Sequence, residues 1–100
     1  MDGFDAFSLD ETIHVRARLG IMAFLIGAGK ADFNTLKAHL EITDGNLSLH
    51  LKKLEEAGYV ATHRAIEGKR TRTTVTLTDK GREAFDAYVQ SIIKLVQPPG

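Results

Sequence analysis

The sequence has no cysteine, which excludes disulfides, thiolate metal sites and a cysteine nucleophile. Its only prolines are Pro98 and Pro99, where with Gly100 they forbid continuation of a helix. The longest apolar stretch, Leu19 to Gly29, is 11 residues, too short to span a bilayer. The N-terminal MDGFDAFSLDE is acidic and lacks a positively charged n-region, so it does not read as a signal peptide. A soluble, cytoplasmic protein with no membrane partner is expected. Catalytic patterns are missing too: there is no nucleophile elbow and no paired-carboxylate pattern. Gly27-Ala28-Gly29-Lys30 lacks the preceding glycine spacing and the following Ser/Thr of a P-loop. His14, His39, His50 and His63 fall on four different predicted elements without ligand spacing. No enzyme activity, metal or cofactor is expected. His50 reads as a hydrogen-bonded, partly buried residue, and His14 as a solvated one.

What is present suits one small globular domain. One hundred residues is a common domain size, and 43% apolar content is ordinary. A core this small gains from oligomerisation. Net charge is zero, but its distribution is uneven. Residues 1–45 carry −3, residues 46–82 carry +4, and residues 83–100 carry −1. A polyanion responds to the local field rather than to the total.

The most informative stretch is Thr43 to Val60, TDGNLSLHLKKLEEAGYV. Thr43 is a good N-cap, and Ile42 and Leu47 have the spacing of a hydrophobic staple. Leu47, Leu51 and Leu54 line one helical face, leaving Asn46, Ser48, Leu49, Lys52, Lys53 and Glu56 outward. Gly58 ends the helix. The outward first turns carry Asp44, Gly45, Asn46 and Ser48. A helix built only for stability favours Ala, Glu, Lys or Gln there, whereas short groups at a helix N-terminus suit close approach to phosphates and base edges. The plainer alternative is a capped helix with a solvated face.

The remaining elements follow in order. Residues 1–8 are expected to be flexible, with Phe4 and Phe7 as anchors. Ser8 and Glu11 have capping-box spacing, predicting a helix from Leu9 to about Ala28. That helix has two apolar faces: Leu19, Met22, Leu25 and Ile26, then Ile13, Ala17, Ile21 and Phe24. The second face is expected to meet a partner subunit. Lys30 to Phe33 is a short connection with the length of one small strand, and Asn34 is the expected cap of a helix from Thr35 to Leu40. Tyr59 to Ile66 and Thr71 to Leu77 are rich in Thr, Val and Ile, as strands are. Between them, Glu67-Gly68-Lys69-Arg70 forms a hairpin tip. Arg64, Lys69, Arg70 and Arg72 make this hairpin basic enough to lie along a phosphate backbone. The alternative is a solvated hairpin whose charges prevent edge pairing. Thr78 caps a last helix, 78–97, with an apolar stripe through Phe85, Tyr88, Val89, Ile92 and Val96, widened by Ile93.

Three segments in this order resemble winged helix-turn-helix transcriptional regulators. Arg18-Leu19-Gly20-Ile21-Met22-Ala23-Phe24-Leu25 is similar to their opening helix. Asn46 to Val60 is similar to their reading helix with its Ala-Gly-Tyr-Val end, and Leu77-Thr78-Asp79-Lys80-Gly81-Arg82 to the segment after the wing. The nearest group lies between the ArsR-like and MarR-like regulators. The resemblance implies an α+β, mainly α fold: a three-helix core, a two-stranded wing and a long C-terminal helix within residues 9–97. It implies a homodimer reading an inverted repeat in double-stranded DNA, a repressor of transcription. On the reading helix, Asp44, Gly45, Asn46, Ser48, Leu49, His50 and Lys52 then meet DNA, with Lys53 beside them. On the wing, Lys69, Arg70 and Arg72 do so, with Arg64 beside them. The expected dimer residues are Ile13, Ala17, Ile21, Phe24, Tyr88, Ile92, Ile93 and Val96. Two departures stand out. Leu49 is apolar where many relatives are polar or basic, and Asp44 repels phosphate unless it reads a cytosine amino group. Because this fold also serves as a bare interaction module, a protein-binding winged helix is the alternative function.

Overall fold

The structure, a computed structural model, describes residues 9–97. Ser8 of the expected capping box, and the Phe4 and Phe7 anchors, lie outside the described residues. The first turn is organised by Asp10 instead. Its Oδ1 accepts from the backbone N–H groups of Thr12 and Ile13 at 2.8 and 3.1 Å, and its Oδ2 accepts from the Tyr59 hydroxyl. This turn delays the first helix, α1, to Arg16–Ala28 rather than Leu9.

The chain continues as β1 (Lys30–Asp32), α2 (Phe33–Leu40), α3 (Asp44–Glu56), β2 (Val60–Glu67), β3 (Arg70–Leu77) and α4 (Asp79–Val96). The sheet has three strands in the order β1-β3-β2, all antiparallel. The expected short strand therefore extends the two-stranded wing at its base, with Lys30 opposite Thr76. Asp32, the last residue of β1, caps α2 by accepting from Thr35 N–H at 2.7 Å. The expected cap, Asn34, lies one residue inside the helix. Glu41 closes α2 in the left-handed region at φ 54°, which turns the chain sharply into α3.

Local chemistry fixes the ends of α3. Thr43 Oγ1 accepts from Asn46 N–H at 3.2 Å. At the other end Gly58, at φ 83°, donates to the Glu55 carbonyl, and Tyr59 donates to that of Leu54. These are the two bonds of a Schellman motif. The wing turns through Gly68-Lys69, with positive φ at Gly68 alone, as in a II′ hairpin turn. Thr78 Oγ1 accepts from Gly81 N–H at 2.9 Å and donates to the Gly58 carbonyl at 2.6 Å, tying the start of α4 to the end of α3.

The core corrects one expectation. Ile13 and Ile21 are fully buried within the chain, in one cluster with Met22, Leu25, Leu36, Leu47, Leu54 and Val75. Tyr88 is buried there too. These three residues are thus unavailable as an outward dimer face. Ile21 is interior because α1 is touched by α2, α3, β1, β3 and α4, while Ile13 packs from the turn before α1 and Tyr88 from α4. Ala17, Phe24 and Ile92 are half-buried. Ile93, Leu95 and Val96 at the end of α4 remain exposed, at 38%, 49% and 72%.

Candidate nucleic-acid interface

α3, the expected reading helix, places its residues as helical periodicity requires. Leu47, Leu51 and Leu54 are buried, while Asp44, Gly45, Asn46, Ser48, Leu49, Lys52 and Lys53 are exposed. Because Thr43 takes only the N–H of Asn46, the opening of α3 keeps donors and the positive end of the helix dipole facing outward. Lys37 of α2 reaches across the turn to Asp44, with Nζ 2.6 Å from Oδ1. The repulsion expected between Asp44 and phosphate is thereby offset by a neighbouring cation.

His50 differs from its neighbours. It is half-buried, and its Nδ1 is enclosed without the hydrogen-bond partner expected of it, as is Nε of Arg18 on α1. Burial first, then the Arg18 charge, pushes the imidazole below its ordinary value of 6.5. A neutral ring follows near pH 7, so His50 brings shape rather than charge to this surface.

Side chains alternate across a strand, and this divides the wing into two faces. Thr62, Arg64 and Ile66 of β2 lie opposite Val75, Thr73 and Thr71 of β3. Thr62 Oγ1 donates to Glu55 Oε2 of α3 at 2.8 Å, so this face looks toward the reading helix. A cleft between them is lined by Ser48, Lys52, Arg64 and Thr73, among others. Arg70 and Arg72 alternate onto the other face, opposite Glu67 and Ala65. Arg72 is engaged there, 3.5 Å from Asp32 and 3.7 Å from Glu67. The Thr35 N–H, the Thr35 hydroxyl and then Arg72 hold the Asp32 carboxyl below the usual carboxylate range. Lys69 stands at the tip. The four basic residues thus form three groups rather than one patch: Arg64 beside α3, Lys69 and Arg70 at the end, and Arg72 behind.

Sequence reasoning missed three contributors. Lys37 gave no signal, because its partner lies beyond the helix-helix turn. Ile66 looks in the sequence like an ordinary strand residue, yet it is 82% exposed. Arg18 stands out in the sequence only as part of the opening segment, yet its charge acts on His50. His14 is exposed, as expected, and its Nδ1 lies 2.7 Å from the Tyr88 hydroxyl, which burial pushes above the ordinary tyrosine value. Among the described residues no group of three or more His, Asp or Glu could hold a metal ion, and no helix is long and apolar enough to cross a membrane.

Comparison with known proteins agrees with this fold. An uncharacterized protein of Methanocaldococcus jannaschii is 46% identical over 78 residues, covering 78% of this chain and 85% of that protein. The structure of a transcriptional regulator homologue from Pyrococcus horikoshii OT3 superposes with a TM-score of 0.81 at 36% identity, covering 87% of this chain and 86% of that one. AbfR, a protein of Staphylococcus epidermidis, has been solved in reduced form bound to DNA. That structure gives a TM-score of 0.69 at 27% identity over 82% of this chain and 58% of its own. A family model described as a winged helix DNA-binding domain matches residues 17–96, from α1 through the reading helix and wing to the end of α4. With its capped reading helix and three-stranded wing, the chain belongs to the winged helix DNA-binding domain family.

Proposed function

We propose that this protein is a sequence-specific regulator of transcription that binds an inverted repeat in duplex DNA as a homodimer and represses by occupying its site. One observation carries the reading: the exposed start of α3 and Arg64 of the wing open onto the same cleft. A helix seated in the major groove then has a cation ready for the adjoining phosphates. Asn46 and Ser48 are the base-reading candidates. Leu49, 52% exposed, suits the C5-methyl group of thymine, an apolar mark presented only in the major groove.

The dimer reading is supported by the exposed apolar end of α4. One reading helix spans only a few base pairs, too little to find one site in a genome. Two helices related by a two-fold axis, about 34 Å apart, read both halves of a palindrome. A protein-binding role is the second reading, favoured by the exposure of Leu49.

The deciding experiment is selection of bound fragments from the protein's own genome at two salt concentrations. Enrichment of one inverted repeat at both is the expected result, followed by higher expression of the adjoining gene when the protein is deleted. Recovery of random fragments at low salt and none at high salt would overturn specific regulation and favour the protein-binding role.

A further inference from the structure

β1 is an edge strand of the sheet, and its outer side carries backbone groups that β3 does not use. Leu77 N–H donates to the Gly29 carbonyl, and Lys30 stands opposite Thr76. Opposed residues of an antiparallel ladder alternate between bonded and non-bonded pairs. Gly29 and Ala31 therefore turn their backbone groups toward β3, while the N–H and C=O of Lys30 point away from it. An exposed residue with both groups turned outward can pair with the backbone of one further residue.

A cleft of about 530 Å³ adjoins this strand, within the roughly 300–1,000 Å³ typical of small-molecule sites. Its apolar lining comes from Phe24 and Ala28 of α1, Ala31 of β1 and Ala65 of β2. Its charges are of both signs, Lys30 and Arg72 against Asp32 and Glu67, so a ligand of either net charge gains nothing overall. These charges keep unused bonding capacity. Arg72 lies 3.5 Å from Asp32 and 3.7 Å from Glu67, longer than the about 2.7–2.9 Å of a close charged hydrogen bond. Among the described residues no carboxylate lies within 4.0 Å of Lys30. Asp32 Oδ1 accepts from Thr35 N–H, and that bond first of all keeps the carboxyl below its ordinary value and ionised at neutral pH.

The strand also gives the cleft a direction. Asp32 follows Lys30 by two residues, on the same side of β1 and about 7 Å along it. An α-amino acid laid antiparallel against Lys30 places its carboxylate on the Lys30 N–H and its ammonium on the Lys30 C=O. The ammonium then lies toward Asp32, and the carboxylate lies within reach of the flexible Lys30 side chain. The charge order of the cleft thus matches the charge order of the zwitterion. From this we infer that the cleft beside β1 binds a free α-amino acid with an apolar side chain, held by the Lys30 backbone, Lys30 Nζ and Asp32, with its side chain over the apolar lining. Asp32, Arg72 and Thr74 belong to the face of the wing turned away from α3, so the ligand does not compete for the surface assigned to DNA.

The test uses the full chain without DNA, and its outcome is independent of the proposed function. Calorimetric titration with L-leucine and with L-phenylalanine is expected to show saturable binding of at least one of them, one molecule per chain. 4-Methylpentanoate lacks the ammonium and 3-methylbutylamine lacks the carboxylate. Each is expected to bind about tenfold more weakly than L-leucine, having lost a charge-assisted bond. Asp32→Asn retains a side chain that caps α2 but not the charge, and is expected to weaken amino-acid binding about tenfold while the thermal midpoint stays near that of wild type. Lys30→Met, at an exposed position outside every helix cap, is expected to do the same. Amide shifts in the NMR spectrum should gather around Lys30 and Asp32. No binding of either amino acid up to about 10 mM, well above a Kd of about 1 mM, would overturn the site. Binding of either analogue as tight as that of L-leucine would overturn the zwitterion. Unchanged affinity in a folded variant, or shifts gathered on α3 or at the end of α4 instead, would overturn the placement beside β1.

Discussion

Lys37 Nζ lies 2.6 Å from Asp44 Oδ1, across the turn that joins α2 to the reading helix. On the proposed reading, the carboxylate at the start of α3 would meet DNA beside a compensating charge. Both side chains are substantially exposed, at 43% and 70%, so the pair adds little to folding, about 1 kcal/mol or less. Its effect is expected in binding. Lys37→Ala is expected to weaken binding to every duplex, because Asp44 then faces phosphate uncompensated. Adding Asp44→Asn should recover part of the loss. A thermal melt checks that stability is nearly unchanged, and failure of the second substitution to recover affinity would place Lys37 directly on phosphate instead.

The division of the wing predicts unequal arginines. Arg64 opens onto the cleft beside Ser48 and Lys52, whereas Arg72 is engaged by Asp32 and Glu67 on the other face. Arg64→Ala should reduce affinity for specific and random DNA alike and flatten the salt dependence by about one unit of slope. Arg72→Ala should leave the slope nearly unchanged. Titrations from low to moderate salt measure both. Equal slopes for the two variants would mean that DNA uses the wing from both faces.

Gly81 marks where α4 leaves the wing, and its role is steric. A Cβ there would lie 2.1 Å from the Tyr59 carbonyl oxygen, a backbone atom that cannot swing away. Gly20 is also tight, but its neighbour is the Leu40 Cδ2 at 2.7 Å, the end of a flexible side chain. Gly81→Ala is therefore expected to destabilise by about 1–3 kcal/mol or more, and Gly20→Ala by less. Urea midpoints on both variants give the order, and the reverse order would remove the close approach of α4 to Tyr59 as a constraint on the fold.

These contacts show which parts of the molecule are legible in the sequence. The ends of α3 and the start of α4 are written locally: Thr43, Gly58 and Thr78 each cap a helix end through groups within a few residues, so spacing alone predicts the caps. The start of α1 is not local. Asp10 holds its turn partly through Tyr59, 49 residues away, and that turn displaces the helix start expected from Ser8 and Glu11. The two apolar faces of α1 were visible, but periodicity says only that a face is covered, not by what. Five other elements of the same chain touch α1, so one copy by itself covers more than one apolar face. The site residues of α3 follow from helical period, yet Lys37, the two faces of the wing and the exposure of Ile66 depend on strand register and on packing between helices. No single segment encodes those.

His50 predicts a pH dependence of stability. Burial and the Arg18 charge lower its proton affinity in the folded chain below the ordinary 6.5. The unfolded chain then binds the proton more readily, so acid favours unfolding. The stability associated with a neutral His50 is complete above about pH 6.5 and declines as pH falls below it toward the lowered folded value. His50→Gln removes the titration. Urea midpoints between about pH 8 and about pH 5, the range in which histidine titrates, should fall less steeply for this variant than for wild type. Identical slopes would show that the α1–α3 contact tolerates the imidazolium.

The dimer prediction must avoid residues that hold the single chain together. Ile13, Ile21 and Tyr88 are buried within one copy, and Ile92 packs against the core. Substituting any of them confuses association with folding. Ile93, Leu95 and Val96 are the apolar residues that α4 leaves exposed. Burying a few such side chains supplies about 1.5–3 kcal/mol each as a gross driving force, from which association entropy subtracts a large part. A dimer at micromolar concentration without DNA is consistent with that balance. Ile93→Glu combined with Val96→Glu should give a folded monomer, because a charge without a partner at a desolvated seam is costly, while the unchanged core keeps the unfolding midpoint near that of wild type. Its affinity for an inverted repeat should then drop toward that for a single half-site, since the second half no longer binds as part of the same molecule. Light scattering separates the outcomes: a wild-type mass near the 11.0 kDa of one chain would sink the dimer, whereas about twice that mass, reduced to one chain in the variant, would assign the seam to the end of α4.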